Sequence, residues 1–346
     1  MNTVETNIDK LSVLKSHLQR RVGWLLLTIV FSFLAVGVAG HANFASTKNA
    51  AQSSTIGEWL ADFSRKNPEE VQFTLMRRSE SGGQHTSGNG VPLSELQGLT
   101  REQALGAKTD VNFRLVREAG TFVCEGYFRE GKGAGFWTLT INQNFVSGMR
   151  SRGYDNLTEE ELFTAAALDL KLKSIDDLKS AGYEHLSYKE VVEANIFKVT
   201  SDFIRDMKSA GFENLSLKEL VEARIFKVDS QYAKEVEAMG FGRQPLRTLV
   251  EMRVHKITPE FINLMRSMGF ENLSIRELTE LSVHGVSPEF VNSIKAEGFS
   301  TISPRQAVEL KIFGVDGDYI RRVKAKGFND VTLRQLVELR IQGIVK

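Results

Sequence analysis

The chain has 346 residues and a formal net charge of +1. This length allows two or three domains, and the near-neutral charge gives no global field that would attract nucleic acid or an acidic substrate. Its single cysteine, Cys124, excludes an intramolecular disulfide and a multi-cysteine zinc site.

Recognisable signatures of catalysis are absent from the sequence. No two of the six histidines have the i, i+4 spacing of a helical zinc site, and neither Gly-x-Ser-x-Gly nor His-Glu-x-x-His occurs. We therefore expect a protein that is not an enzyme and has no catalytic residues, cofactor or metal. The alternative is an enzyme whose site lies unrecognised in the domain before the repeats.

Near the N-terminus, residues 22–40 form an uncharged stretch, VGWLLLTIVFSFLAVGVAG. A helix of this length spans about 28 Å, close to the ~30 Å hydrocarbon core of a bilayer. Arg20 and Arg21 precede it, so the positive-inside rule predicts a cytoplasmic tail over 1–21. Residues 22–40 then form a single-pass helix in the inner (cytoplasmic) membrane, and 41–346 are extracytoplasmic. Alternatively, a signal peptide is cleaved near Gly40-His41-Ala42 and the protein is secreted or periplasmic.

A polar linker over 41–55 leads to a small, mainly-β domain over 56–141. Alternation of apolar and polar residues predicts strands at 71–78 and 111–118. Residues 121–129 and 136–141 are expected to form a hairpin with 130–135 as its turn. We also expect a flexible loop over residues 79–90 and a short helix that begins at Thr100. Trp59, Trp137 and Cys124 are expected to be buried.

From residue 142 to 346 the chain repeats itself. A Gly followed by Phe or Tyr recurs every 29 residues, and its glycines are Gly153, Gly182, Gly211, Gly240, Gly269, Gly298 and Gly327. A fixed period in this range is typical of a solenoid, so we predict seven stacked helix-turn-helix repeats. The fold class is therefore α+β, a transmembrane helix followed by a β domain and an α-solenoid.

Capping residues locate both helices of each repeat. The first helix is expected to end at the Gly of the pair, where a residue in the left-handed conformation is needed. In six copies it is expected to start at an N-cap residue: Asn142, Thr200, Asp229, Thr258, Ser287 and Asp316. The second copy has Lys171 there and is expected to start near Ser174. The second helix opens with a capping box in every copy except the fourth, which has Pro245.

Two columns of like charge run along the repeats, one acidic at the phase of Glu193 and one basic at the phase of Lys179. One interpretation of both columns is a binding face for a charged ligand or partner. We favour solvated faces or contacts between repeats, because a binding site is expected to vary from copy to copy. One phase of the second helix does vary. Its residues are our candidates for partner binding: Asn195, Arg224, Arg253, Ser282, Lys311 and Arg340.

The last copy has no additional polar helix to cover it. Arg321, Arg322, Lys324 and Lys326 on its first helix could keep it soluble unaided. Otherwise a partner or a second protomer covers it, which predicts self-association through the C-terminal repeat.

Three segments carry a resemblance to a known kind of protein: VPLSELQGLT (91–100), REAGTFVCEGYF (117–128) and GAGFWTLTINQNFVSGMRSRGY (133–154). With the repeats that follow, they resemble the exported repeat ectodomains of bacterial anti-sigma and BlaR-like membrane signalling proteins. The chain departs from these proteins in having neither the zincin motif nor a Cys/His zinc motif.

Two hypotheses about function follow. The first is a membrane-anchored envelope protein whose repeats bind a protein or peptide partner. The second, which the resemblance implies, is a sensor or regulatory subunit that transmits an extracytoplasmic signal through residues 22–40. Nucleic acid is not expected as a partner.

Overall fold

The structure is a computed structural model that describes residues 55–63, 69–78 and 84–345. The predicted cytoplasmic tail, transmembrane helix and nearly all of the linker lie outside these residues. Within them, no helix is both long enough and apolar enough to cross a membrane. All of the described residues belong to one compact unit.

A seven-stranded antiparallel sheet forms the first part of the described chain. Its spatial order is β3-β2-β1-β7-β6-β5-β4. The strands are β1 (Thr55–Phe63), β2 (Glu70–Arg78), β3 (Gln84–Pro92), β4 (Leu96–Gln97), β5 (Thr109–Val116), β6 (Gly120–Arg129) and β7 (Lys132–Ile141). A short helix, α1 (Arg101–Leu105), begins at the capping box of Thr100, which confirms the predicted helix start.

Two sequence predictions about this sheet were wrong. Residues 84–92, expected within a flexible loop up to residue 90, form the edge strand β3, because their backbone pairs with β2 along its whole length. The hairpin turn is also shorter than the predicted 130–135. It consists of Glu130 and Gly131, and both have positive φ.

The sheet is curled around an aromatic core. The Trp59 ring on β1 lies 5.8 Å from Phe73 on β2, 5.2 Å from Phe113 on β5 and 5.5 Å from Phe128 on β6. Strands β1 and β5 are separated by two others in the sheet, so only strong curvature brings these rings together. Trp59, Trp137 and Cys124 are fully buried, as predicted.

Glycines make room for the tryptophan rings. A Cβ on Gly57 would lie 2.3 Å from the Trp137 ring, and one on Gly135 would lie 2.8 Å from Nε1 of Trp59. In the Gly-rich segment 130–135, which the sequence predicted to be a turn, residues 132–135 are therefore strand backbone. Gly135 packs directly against the buried Trp59 ring.

Fourteen α-helices follow the sheet within the described residues, two for each Gly-aromatic pair. The first helices are α2 (Gln143–Arg150), α4 (Leu172–Ser180), α6 (Ser201–Ser209), α8 (Ser230–Val236), α10 (Pro259–Ser267), α12 (Pro288–Lys295) and α14 (Gly317–Ala325). The second helices are α3 (Glu159–Ala167), α5 (Tyr188–Ile196), α7 (Leu217–Ile225), α9 (Leu246–Val254), α11 (Ile275–Val283), α13 (Pro304–Phe313) and α15 (Leu333–Ile341).

Capping places these helices much as the sequence predicts. All six first-helix caps accept a hydrogen bond from a backbone N–H, and the capping boxes of the second helices form in every copy except that of Pro245. All seven glycines of the Gly-aromatic pairs have positive φ. The expected start of α4 was wrong, because it begins at Leu172 with no side-chain cap.

The sheet and the first helices share one core. Phe163 of α3 stacks on Trp137 at 5.2 Å and meets Phe122 edge-on at 6.1 Å. Arg77 of β2 pairs with Glu159 at 3.0 Å, and the backbone N–H of Leu172 donates to Glu118. The sheet therefore covers the N-terminal end of the helical array, as the continuity of the sequence suggested.

Candidate interaction surface on the helical array

Successive first helices are joined by lysines. Each of four lysine Nζ atoms donates to a backbone carbonyl 27 residues earlier, at 2.7–3.1 Å: Lys179, Lys208, Lys295 and Lys324. These carbonyls lie just beyond the end of the preceding first helix, where helix carbonyls lack intrahelical partners. The basic column of the sequence therefore contains contacts between repeats.

The six candidate partner-binding residues lie at the equivalent position of the second helices. Four of them donate to a carbonyl 27 residues earlier, at the end of the preceding second helix, over 2.5–3.3 Å: Asn195, Arg224, Ser282 and Arg340. Residues that differ in length and charge thus satisfy the same acceptor, because each carries a donor that reaches it.

Four of the candidates also place a cation over an aromatic ring on the first helix of the same repeat. The distances to the ring centroids are 4.9 Å for Arg224 and Phe203, 3.6 Å for Arg253 and Tyr232, 4.6 Å for Lys311 and Phe290, and 4.9 Å for Arg340 and Tyr319. At exposed sites such contacts contribute about 0.5–1 kcal/mol each. Four candidates therefore contact the preceding repeat, and Arg253 and Lys311 contact the first helix of their own repeat. The role of all six in binding a partner stays a prediction.

Sequence reasoning missed a different row on the second helices. In six copies the same phase carries a β-branched aliphatic residue: Ile196, Ile225, Val254, Val283, Ile312 and Ile341. Five of these side chains are 39–61% exposed, and Ile225 is half-buried. We call this set the aliphatic row. The signal was present in the sequence, as one invariant aliphatic phase beside the variable phase of the candidates.

Two charged rows accompany the aliphatic row on the same face, since i, i+4 and i+7 of a helix are neighbours. The basic row, seven residues before each aliphatic residue, is exposed throughout: Lys189, Lys218, Arg247, Arg276, Arg305 and Arg334. The acidic row lies between them: Glu193, Glu222, Glu251, Glu280, Glu309 and Glu338. We call the three rows together the outer stripe.

Ion pairing within the outer stripe is incomplete. Arg276 pairs with Glu280 at 3.1 Å and Arg334 pairs with Glu338 at 3.2 Å. Within the described residues, the other four members of the basic row make no ion pair. Because exposed i, i+4 pairs contribute only about 0.3–0.5 kcal/mol, even the paired side chains can change partners at little cost.

The capping boxes determine the electrostatics at the start of the second helices. Glu190, Glu219 and Glu277 each accept hydrogen bonds from the hydroxyl and the N–H of a capping serine, and these bonds lower the pKa of each carboxyl. These carboxylates therefore stay ionised near neutral pH and are hydrogen-bonded within their own helices.

A second apolar surface lies on the outer face of the sheet. Phe136 of β7 is 62% exposed, and Ile56 and Leu60 of β1 lie diagonally beside it. Glu58 and Glu125 are its direct cross-strand neighbours. This patch is smaller than the aliphatic row and does not recur along the chain.

Sites for a metal or a small molecule are poorly developed in the described part of the chain. It contains no group of three or more His, Cys, Asp or Glu residues that could hold a metal ion. An open cleft of about 440 Å³ lies at the end of the last repeat, beside Arg322, Lys326 and Ile344. Burial raises the pKa of the Cys124 thiol, which leaves it protonated and unreactive near neutral pH.

Comparison with known proteins adds no relative to this description. No protein-family model matches the chain, and no curated protein matches it significantly. The interpretation of the outer stripe therefore rests on the residues of this chain.

Proposed function

We propose that the chain is a non-enzymatic envelope protein, anchored in the inner membrane through residues 22–40 and exported from residue 41 onwards. Residues 142–346 form an α-solenoid of seven 29-residue repeats that binds a protein or peptide partner. The sheet domain covers the N-terminal end of this solenoid.

The observation that carries this proposal is the exposed aliphatic row. Solvent-exposed positions of a helix tolerate polar residues at little cost, and single exposed aliphatic residues are common. A row of six at one phase is different, because the adjacent phase varies from Asn195 to Arg224 and Ser282 over the same copies. Contiguous exposed apolar surface is typical of sites that bind another macromolecule.

Photo-crosslinking in intact cells tests this proposal. A photoreactive amino acid at Val254 or Ile312 of the full-length chain is expected to capture a discrete envelope protein, whereas the same group at Asn263, exposed on a first helix, is not. Identical products from all three positions, or none from both Val254 and Ile312, would show that the row is not an interaction surface.

The anchor requires its own measurement. The N-terminal sequence of the protein recovered from membranes is expected to begin at or near Met1. A mature chain that begins near Asn43 and is released from membranes would replace the anchored protein with a secreted or periplasmic one.

One observation favours a sensor or regulatory subunit as a second candidate function. The sheet and the array share a core through Phe163 and Trp137, and β1 begins at Thr55, directly after the predicted linker. A force or a rotation applied to the repeats would therefore reach the linker through packed side chains. A partner-dependent change in crosslinking between the cytoplasmic tails of two copies would support this function, and its absence would leave only the interaction role.

A further inference from the structure

In the last six repeats, the turn after the second helix has the same backbone geometry. One position of this turn is occupied by two different kinds of residue. The residue two positions after the aliphatic row has a φ of 53–66° in all six. In repeats two to four it is a lysine, and in repeats five to seven a glycine: Lys198, Lys227, Lys256, Gly285, Gly314 and Gly343. Its N–H donates to the carbonyl three residues earlier in each case, at 3.1–3.3 Å, so the turns are equivalent.

Lysine is the less favourable choice at this position. A left-handed φ is strained for a residue with a Cβ and unstrained for glycine, and Gly285, Gly314 and Gly343 demonstrate that glycine fits the turn. Residues held in strained conformations commonly serve binding sites. The three lysines are exposed, and among the described residues none of them makes an ion pair or a side-chain hydrogen bond.

The lysines change the charge of the outer stripe in one half of the array. Each follows a member of the aliphatic row by two residues, as Lys198 follows Ile196. In repeats two to four, three turn lysines and three residues of the basic row accompany three glutamates of the acidic row, an excess of three positive charges among these groups. In repeats five to seven, the three arginines of the basic row equal in number the three glutamates of the acidic row. Two of these arginines, Arg276 and Arg334, already form ion pairs.

We propose that repeats two to four form the binding site for an acidic polypeptide segment that carries aliphatic side chains. This inference rests on the proposed interaction function and assigns it a surface and a class of partner. Lys198, Lys227 and Lys256 attract the carboxylates of the segment, and Ile196, Ile225 and Val254 pack against its aliphatic side chains.

The acidic row distinguishes a polypeptide from an anionic membrane. Glu193, Glu222 and Glu251 stand between the basic and aliphatic rows, where a uniformly anionic lipid surface would meet them. A polypeptide can place its carboxylates against the lysines and avoid the glutamates, since like charges at close range cost binding energy. Packed helices lie about 8–10 Å apart, which is the length of about three residues of a polyproline II chain, whose every third side chain lies on one face. The segment is therefore expected to offer an aliphatic side chain about every third residue.

Fluorescence anisotropy with defined peptides tests this site. The full-length chain, held in neutral phosphatidylcholine nanodiscs, is titrated into a fluorescein-labelled peptide of four Leu-Glu-Ser units and, as a control, into four Leu-Lys-Ser units. The key variant combines Lys198→Gly, Lys227→Gly and Lys256→Gly. Its matched reverse combines Gly285→Lys, Gly314→Lys and Gly343→Lys.

The two variants have opposite expected effects on stability and binding. The Lys→Gly variant is expected to melt a few degrees higher than the wild type, because it removes backbone strain, and to bind the acidic peptide at least tenfold more weakly. The Gly→Lys variant is expected to melt lower and bind more tightly. A merely structural role for the lysines predicts the same shifts in melting temperature with no change in binding, and that result would overturn the proposal.

The remaining outcomes are equally decisive. Equal affinity for the acidic and basic peptides would overturn the assigned partner chemistry. Co-flotation of the nanodisc-held wild type with phosphatidylglycerol vesicles, lost in the Lys→Gly variant while neither peptide binds, would reassign the surface to lipid. If crosslinking from Ile312 captures a protein that the Lys→Gly variant still binds fully, the interaction function stands and the site in repeats two to four is wrong.

Discussion

Replacing Phe163 with alanine should break the connection between the sheet and the helical array. The Phe163 side chain is 3% exposed and contacts the Trp137 and Phe122 rings. Truncation of a buried Phe costs about 3–5 kcal/mol, and each aromatic pair adds about 0.5–1.5 kcal/mol beyond its buried area. We expect Phe163→Ala to lower the free energy of unfolding by about 4 kcal/mol, and Phe163→Leu by less than half of that.

Urea unfolding followed by tryptophan fluorescence measures this effect, because Phe163 stacks directly on Trp137. The matched control is Phe136→Ala on the outer face of the sheet, where the ring is 62% exposed and the expected change is within about 0.5 kcal/mol. If Phe163→Ala costs no more than this control, the sheet and the array do not share a core and the reasoning about a coupled junction fails.

Three further predictions concern pH, a contact between the two helices of one repeat, and the thiol. The folded state lowers the pKa values of the capping-box carboxylates of Glu190, Glu219 and Glu277. Their contribution to stability is therefore complete above their ordinary pKa of about 4.3 and is lost as the pH falls through the lowered values. Thermal melting from pH 7 to pH 3 should show a smaller loss of stability when glutamine replaces all three glutamates. Arg253→Ala removes the cation over Tyr232 and should lower the free energy of unfolding by about 0.5–1 kcal/mol, whereas Arg253→Lys should retain part of it; equal losses for both variants would contradict the contact. Cys124 should react with a thiol reagent only in denaturant, and rapid labelling of the native chain would show that this strand is not buried.

Local interactions explain what the sequence alone determined. The 29-residue period, the positions of most helix ends and the left-handed glycines all depend on contacts within a few residues, such as the hydroxyl of Ser216 that accepts from the N–H of Glu219. These signals repeat seven times, so an irregular copy stands out against the others. The one first-helix start that was misplaced, at Leu172, belongs to the copy without a capping side chain.

The tertiary structure decided the features that depend on residues far apart in the chain. The sequence of residues 84–92 predicts a loop, because Gly and Ser have low strand propensity. Only the pairing of this segment with β2 makes it a strand. Arg224 and Ile196 are both surface positions by the sequence pattern. Arg224 is engaged by Phe203 and by the carbonyl of Phe197, which lie 21 and 27 residues earlier, whereas Ile196 is left exposed. Whether a side chain joins two repeats or stays exposed is set by the packing of neighbouring repeats, which no local pattern encodes.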